Sequence, residues 1–334
     1  MDIFSNVYHY SYGYPTENKW IDNKTVILAR SQSPYISKKL DSKSENELVS
    51  VNTDDGSVSQ LCCGVTEWLD YLAYKDNVYY VKNDTLCRIN AKNKQEEVLA
   101  KLFGAGFPHI TNGGKYMSLF NSDITPSHFY RYSTEQGRLE FLFTKEFPAP
   151  NKIANHGMIC PTDKDIFFFA HEGDTRALSD RLWLYDQKSK SEKNIAKQRI
   201  DSDGKILDCF GHEAWARDGS GIYFVKYSES EGPSGICFYD INTQKCKLLF
   251  SKYDYWHVSV SPCGKYLAAD TRGKNGESGI VLIDVWEGKE RLIDSVTVTF
   301  RHPCHPHPSF SPESDRLLYH FEKNGMTSVR ITNI

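Results

Sequence analysis

Two stretches of the sequence decide the fold, HVSVSPCGKYLAADT at residues 257–271 and HPSFSPESDRLLYHF at residues 307–321. Each runs from a short apolar strand through a polar turn into a strongly β-prone strand. Further copies of the pattern begin near Asn18, Trp68, Phe107, His156 and His212. Because self-similarity along a chain is the signature of a repeat architecture, we interpret the sequence as seven copies of one structural unit.

A second pattern follows most copies, in which two strands flank a turn rich in Asp, Asn and Gly. Clear examples are LVSVNTDDGSVSQL at residues 48–61 and CFYDINTQKCKLLF at residues 237–250. Such segments are typical of β-hairpins. Together with the first pattern, each repeat then supplies four strands, which is the content of one propeller blade.

The spacing of the repeats agrees with this interpretation. Repeats that begin at His156, His212, His257 and His307 lie 45–56 residues apart, at or above the roughly 40–45 residues of a four-stranded propeller repeat. No stretch sustains a 3.6-residue apolar period, so we expect few helices. The sequence predicts an all-β fold, a seven-bladed β-propeller of four-stranded antiparallel blades, as a single domain over residues 1–334. We expect the last strand, TSVRITNI, to pair with N-terminal residues, because an open ring exposes a strand edge.

Composition excludes several classes of protein. The chain has 40 basic and 43 acidic residues, and without a basic run it does not predict a nucleic-acid surface. Its nine cysteines are odd in number and irregularly spaced, so we expect reduced thiols and no disulfide framework. The N-terminus lacks the pattern of a signal peptide and no apolar run is long enough for a membrane span, so we expect a cytoplasmic protein.

Histidines mark the start of four of the repeats, at His156, His212, His257 and His307. In a propeller, equivalent positions of successive blades converge on the central axis at one face. Residues that are far apart in sequence therefore become neighbours there. A single histidine is more often structural than functional, but equivalent placement in several blades is hard to explain by packing alone.

The segment RHPCHPHPSFSP at residues 301–312 is the densest of these signals. His305 and His307 are two residues apart, so in an extended strand they project to the same side. Pro303, Pro306 and Pro308 stiffen the chain. Imidazole nitrogen binds divalent transition metals, including manganese when oxygen ligands complete the shell. We predict a metal site at His257, His302, His305 and His307; the alternatives for such a group are a pH sensor or an anion site.

Three further residues are candidates for substrate binding or catalysis. Arg181 suits bidentate recognition of a carboxylate, and its alternative role is a surface salt bridge of little energetic value. His171 stands at the end of the strand FFFAHEG, next to a loop. Trp215 is either part of the blade core or a stacking platform for a sugar.

From about Asn155 to Gly325 the sequence resembles the oligogalacturonate lyase family. The resemblance is carried by NHG at residues 155–157, FFFAHEG at 167–173, DRLWL at 180–184, FGHEAW at 210–215, residues 256–271 and HPHPSFSP at 305–312. It implies a seven-bladed propeller that cleaves short pectic oligosaccharides by β-elimination. It also implies a divalent metal cofactor, typically Mn²⁺, and a small acidic oligosaccharide as the partner.

By position, the resemblance implies roles for individual residues. His212 matches the base that abstracts a proton, and Arg181 matches the arginine that helps to neutralise the substrate carboxylate. His257, His305 and His307 match metal ligands.

His302 stands where the family has a glutamine ligand. Because histidine also offers a ligand nitrogen, other transition metals remain possible beside manganese. We further expect His156 and Trp215 to contact substrate with Arg181, and we take His171 as the second candidate base.

Two other functions remain open at this point. One is a non-catalytic propeller that binds a ligand or protein, since fold does not imply function. The other is a lyase for a different uronate polymer. No G-x-S-x-G nucleophile elbow is found, which removes the prolyl-peptidase interpretation, and elimination does not need the paired carboxylates of glycosidases.

Overall fold

The computed structural model describes residues 1–14, 18–32, 46–63, 71–82, 85–102, 109–110, 114–121, 124–299, 301 and 303–334. In these ranges the chain forms seven four-stranded antiparallel sheets and no helix. The sheets are the blades of a seven-bladed β-propeller, so the predicted fold class is confirmed. No membrane-spanning helix is found among the described residues. All nine cysteines are free thiols, as expected.

Six blades are built from consecutive strands, and the first strand of each is the innermost. Blade 1 comprises β2 (His9–Ser11), β3 (Thr25–Ser31), β4 (Glu47–Asn52) and β5 (Val58–Cys63). Blade 2 comprises β6 (Tyr71–Tyr74), β7 (Asn77–Lys82), β8 (Thr85–Asn90) and β9 (Glu96–Lys101). Blade 3 comprises β10 (His109–Ile110), β11 (Tyr116–Asn121), β12 (Ser127–Ser133) and β13 (Arg138–Lys145).

Blades 4 to 6 have the same order of strands. Blade 4 comprises β14 (Ala154–Ile159), β15 (Ile166–His171), β16 (Leu182–Asp186) and β17 (Ser191–Asn194). Blade 5 comprises β18 (Phe210–Trp215), β19 (Gly221–Lys226), β20 (Gly235–Asp240) and β21 (Lys245–Phe250). Blade 6 comprises β22 (Tyr255–Val260), β23 (Tyr266–Thr271), β24 (Glu277–Asp284) and β25 (Lys289–Thr297).

Blade 7 closes the ring by combining both ends of the chain. It comprises β26 (Ser309–Phe310), β27 (Arg316–Lys323), β28 (Met326–Asn333) and, as its outermost strand, β1 (Asp2–Ile3). Ile3 pairs with Val329, and Asp2 forms an ion pair of 2.7 Å with Arg330. The expected pairing of TSVRITNI with N-terminal residues is therefore confirmed, and it covers the strand edge that an open ring would expose.

The core lies between neighbouring blades. The second strands, such as β15 and β23, are buried at four or more consecutive positions, because each packs against a blade on either side. The outermost strands, such as β21, are mainly exposed. This gradient from buried to exposed explains why the second strand of each repeat is the most apolar part of the pattern.

Histidines occupy one equivalent position in blades 4 to 7, as the repeats predicted. In each blade the histidine lies four residues before the residue whose amide hydrogen bond closes the first turn. The histidines are His156, His212, His257 and His307, and the corresponding turn residues are Cys160, Ala216, Ser261 and Ser311. The repeat pattern thus places four imidazoles at one end of the central channel.

The innermost strands of blades 4, 5 and 6 are bulged at this level. The pairing register shifts between Asn155 and Met158, between Gly211 and Ala214, and between Tyr255 and Val258. Bulges bend a strand and re-aim its side chains, and they are common beside active sites.

Backbone strain accompanies the histidines. His156, His212 and His307 have φ values of 54°, 52° and 47°. A non-glycine residue in this region costs of order 1–3 kcal/mol, and such residues cluster at functional sites.

The innermost strand of blade 1 is interrupted. His9–Ser11 pairs with one end of β3, and Trp20 bridges to Val26 at the other end. Residues 12–14, which follow the first piece, are not part of the strand and contact blades 4 and 7. We call residues 12–14 the inner-strand insertion.

Ring closure makes a testable prediction about Ile3, which is 6% exposed and packs against Leu318, Val329 and Ile331. Replacing Ile3 by alanine removes buried apolar contacts between blades 7 and 1, so Ile3→Ala should lower the free energy of unfolding by about 2–5 kcal/mol. Urea denaturation measures this. Val7→Ala is the control, because Val7 is 55% exposed and such changes stay within about 0.5 kcal/mol. Equal effects of the two variants would contradict the packing role of β1.

Candidate active site

Three of the four predicted metal ligands come together in one buried cluster. His257 lies on β22, and His305 and His307 precede β26. One ring nitrogen from each lies within 4.8 Å of the others, and the Nε2 atoms of His257 and His307 are 3.0 Å apart. We call these residues the histidine triad. The fourth predicted ligand, His302, lies outside the described residues.

Asp270, at the end of β23, holds two members of the triad in place. Its carboxylate accepts hydrogen bonds from the His257 amide at 2.8 Å, from His257 Nδ1 at 2.8 Å and from the His307 amide at 3.0 Å. Asp270 is fully buried. One side chain therefore joins blade 6 to blade 7 at the site.

The hydrogen bonds of the triad fix its proton positions. The partners of the two Nδ1 atoms can accept but not donate a hydrogen bond. The carboxylate of Asp270 faces His257 Nδ1, and the carbonyl of Gly13 lies 3.2 Å from His307 Nδ1. Both Nδ1 atoms therefore carry the proton, and in the neutral rings both Nε2 atoms present lone pairs. Two lone pairs 3.0 Å apart repel each other unless a proton or a cation lies between them.

This donor set fits a divalent transition metal. Imidazole nitrogens suit such ions, and metal–nitrogen bonds of about 2.0–2.1 Å let two nitrogens 3.0 Å apart bind one ion. A carboxylate that accepts from the other ring nitrogen is the usual support of a histidine ligand. His257, His305 and His307 would hold the metal.

Tyr12 of the inner-strand insertion and His320 of blade 7 hold the HPHP segment through hydrogen bonds to its backbone. The hydroxyl of Tyr12 donates to the carbonyl of His307 at 2.6 Å, and His320 Nδ1 donates to the carbonyl of His305 at 2.7 Å. Tyr12 stacks on His320 with ring centroids 4.0 Å apart. Sequence reasoning missed this support, because Tyr12 lies 295 residues from His307.

His212 lies directly beside the triad, in the position predicted for the base. Its ring is half-buried and meets the ring of His257 edge-on, with centroids 3.9 Å apart. Burial, followed by the charges of His257, His156 and Arg181, holds the pKa of His212 well below its usual 6.5. Among the described residues its Nδ1 atom has no hydrogen-bond partner. A neutral imidazole of this kind can accept a proton.

Gly211 explains how His212 reaches its place. A Cβ atom at Gly211 would lie 2.3 Å from the hydroxyl of Tyr227. The glycine therefore allows Tyr227 to pack behind the strand, where its ring lies 5.8 Å from that of His212.

His156 and Arg181 belong to one charged network with Glu213. His156 Nδ1 lies 3.0 Å from Glu213 Oε2, and Arg181 Nε lies 3.7 Å from Glu213 Oε1. Burial acts to raise the pKa of Glu213, but the hydrogen bond with His156 and the charges of His156 and Arg181 lower it overall. Glu213 is therefore an ionised carboxylate without solvent access, and sequence reasoning missed it.

Arg181 is buried and tightly held. Its Nη1 atom donates to the carbonyls of His171 and Gly173 at 3.2 and 3.3 Å, and Nη2 pairs with Glu172 at 3.3 Å. The guanidinium is thus a fixed positive charge beside Glu213. That it neutralises a substrate carboxylate remains a prediction.

Two other candidates have contacts that favour structural roles. His171 Nδ1 lies 2.8 Å from Asp180 and its Nε2 lies 2.7 Å from the carbonyl of Asn151, so both ring nitrogens are engaged. Trp215 is 4% exposed, and its indole donates to the carbonyl of Met158 at 3.2 Å. Trp215 therefore belongs to the core between blades 4 and 5, and we correct its prediction as a substrate contact.

Trp256 is a further aromatic side chain at the site, and sequence reasoning missed it. Its half-buried indole lies 4.5 Å from the ring of His257 and 4.4 Å from that of His305. The guanidinium of Arg272 lies 5.6 Å from its centroid. Side-chain alternation along a strand would have pointed Trp256 away from the channel. The available signal was that a tryptophan directly precedes a candidate ligand.

Comparison with known proteins confirms the predicted resemblance. The chain is similar to the oligogalacturonide lyase of Pectobacterium atrosepticum, with 23% identity over 204 residues that cover 55% of this chain and 50% of that protein. The chain thus spans about half the length of the curated relatives it matches. No family model matches the chain.

Two solved structures have a similar fold. An oligogalacturonate lyase in complex with manganese superposes with a TM-score of 0.76 at 16% identity, covering 98% of this chain and 90% of that one. The oligogalacturonate lyase of Vibrio parahaemolyticus gives a TM-score of 0.76 at 17% identity, covering 100% of this chain and 93% of that one. At these identities the structural likeness shows the fold alone.

The triad predicts the effect of removing a ligand. His307→Ala and His305→Ala should each lose most of the metal that the wild-type protein binds, about one equivalent, because each removes an imidazole nitrogen from the cluster. Metal analysis of protein purified without chelators or a polyhistidine tag measures this. His128→Ala, on blade 3, is the matched control. Full metal retention in both triad variants would show that the metal, if any, binds elsewhere.

Asp270 yields a second prediction about the metal. In Asp270→Asn the amide group can replace only part of the three hydrogen bonds, so metal affinity should fall about 10- to 100-fold, the usual effect of losing such a support. Titration calorimetry of metal-stripped protein with Mn²⁺ measures the change. Asp284→Asn, at the other end of blade 6, is the control. An unchanged dissociation constant would mean that Asp270 only stabilises the fold.

Proposed function

We propose that this protein is a metal-dependent lyase that cleaves short uronate oligosaccharides, of the oligogalacturonate type, by β-elimination to 4,5-unsaturated products. The observation that carries the proposal is the pairing of a neutral histidine, His212, with the histidine triad. The rings of His212 and His257 lie 3.9 Å apart. A base and a metal site so close together suit the removal of a proton next to a carboxylate.

The elimination requires two groups at adjacent atoms of the sugar, a base at C5 and a positive charge at the C6 carboxylate. The C5 proton of a uronate lies next to the C6 carboxylate, and charge builds on that carboxylate as the proton leaves. A divalent ion, when bound, supplies Lewis-acid stabilisation of this charge. His212 takes the C5 proton as general base. No hydrolytic water takes part in an elimination.

The protein around these groups prepares the site for an acidic sugar. Arg181 contributes fixed positive charge from within the fold, and the carboxylate of Glu213 lies 3.7 Å from its Nε atom. Trp256 offers an aromatic face next to the triad, and aromatic rings are suited to stack against the apolar face of a sugar. The substrate class, a small acidic oligosaccharide, is also that implied by the names of the relatives.

A panel of uronate oligomers tests the proposal. The conjugated product absorbs in the ultraviolet, so turnover can be followed directly with and without a chelator. We expect turnover with galacturonate oligomers, loss of it with chelator and recovery with Mn²⁺. Turnover only with other uronates would reassign the substrate. Metal binding without turnover on any uronate would instead favour a non-catalytic binding propeller.

His212→Ala gives the sharpest prediction for the reaction. The variant should fold and bind metal but lose turnover roughly 100-fold or more, the scale of general-base catalysis. Metal content, melting temperature and elimination rate should be measured on one sample, with His128→Ala as the control. Loss of stability of about 1 kcal/mol with turnover preserved would make His212 a structural hydrogen-bonding residue. Loss of the metal would make it a ligand.

A further inference from the structure

A hydroxyl, an imidazole and a carboxylate form a line beside His212. The hydroxyl of Tyr14 lies 3.4 Å from His156 Nε2, and His156 Nδ1 lies 3.0 Å from Glu213 Oε2. Tyr14 comes from the inner-strand insertion, His156 from blade 4 and Glu213 from blade 5. Three separate parts of the chain therefore build this line, which we call the Tyr14 array.

The order of groups in the array determines what it can do. Glu213 is an ionised carboxylate, so His156 Nδ1 donates to it and Nε2 faces the tyrosine hydroxyl. A hydroxyl held by an imidazole that is itself oriented by a carboxylate is a general arrangement for moving a proton at the hydroxyl oxygen. The contact of 3.4 Å is long, as such contacts often are before substrate binds.

The position of Tyr14 connects the array with the triad and the base. Its ring centroid lies 5.2 Å from that of His307 and 6.4 Å from that of His212. Tyr14 is half-buried at the channel mouth. Among the described residues a second tyrosine, Tyr227, is in ring contact with His212, but it is 4% exposed and packed behind Gly211. Tyr14 is therefore the hydroxyl placed to meet a ligand in the mouth.

We propose that Tyr14 is a catalytic residue that donates a proton to the leaving glycosidic oxygen, with His156 and Glu213 as positioning residues. The inference rests on the proposed function, since a β-elimination needs a proton at the leaving oxygen as well as a base at C5. It gives a role to the inner-strand insertion, to the strained backbone of His156 and to the buried Glu213.

In the proposed elimination the C5–H bond breaks, its proton passes to His212, and its electron pair forms the C4–C5 double bond. The C4–O4 bond breaks with its electron pair on O4, which takes the proton of the Tyr14 hydroxyl. The tyrosinate regains a proton from water, and His212 returns its proton to water. No oxidant, reductant or further reactant takes part.

The test compares two leaving groups. Tyr14→Phe should lose about 100-fold or more in turnover of galacturonate oligomers, the scale of general-acid catalysis. The loss should shrink to less than about 10-fold on a 4-deoxy-4-fluoro galacturonide, because fluoride leaves without a proton. His156→Gln should show the same dependence on the leaving group. Tyr266→Phe, at the end of β23 opposite Asp270, is the matched control, and metal content is measured on each sample.

The outcomes separate this proposal from the proposed function. Wild-type protein that gives no unsaturated product from either substrate overturns both. Wild-type turnover together with equal losses on the two substrates in Tyr14→Phe, or with no loss, overturns the role of Tyr14 and leaves the lyase function standing. A loss confined to the sugar leaving group in both Tyr14→Phe and His156→Gln supports the array.

Discussion

The carboxylate of Asp270 is the contact on which the site depends. It accepts from the amides of His257 and His307 and from His257 Nδ1, all at 2.8–3.0 Å. It therefore fixes at once the position of two histidines on different blades and the proton on one of them. Because Asp270 is fully buried, its charge needs these donors. A cation bound among the histidine triad would stabilise this buried carboxylate.

The propeller divides the groups between its blades. Blades 6 and 7 supply the histidine triad, blade 5 supplies His212 and blade 4 supplies His156, all at one equivalent level of the channel. Bulges in the innermost strands of blades 4 to 6 turn side chains toward the mouth. The inner-strand insertion adds Tyr12, which braces the triad, and Tyr14, which contacts His156. Residues before the segment that carries the resemblance are thus part of the site.

The sequence predicted the fold and the position of the histidines because both follow from repetition. Turn residues and alternating apolar strands recur in each blade, and HPHP with His257 marks residues that a propeller must bring together. Asp270 and Glu213 lie within quoted segments, but like Tyr14 they escaped prediction, since a sequence pattern does not show which groups of other blades a side chain contacts. Trp215 shows the opposite error, because a tryptophan in a strand has the same sequence signal whether it packs in the core or faces a sugar.

The central claim is that one metal ion binds among His257, His305 and His307, next to His212. Crystals grown with Mn²⁺ and a galacturonate trimer test it most directly, through anomalous scattering measured at the manganese absorption edge. We expect one strong peak bonded to ring nitrogens of the three histidines, with a uronate carboxylate on the ion and C5 facing His212. A peak elsewhere, or a trimer bound away from His212, would contradict it.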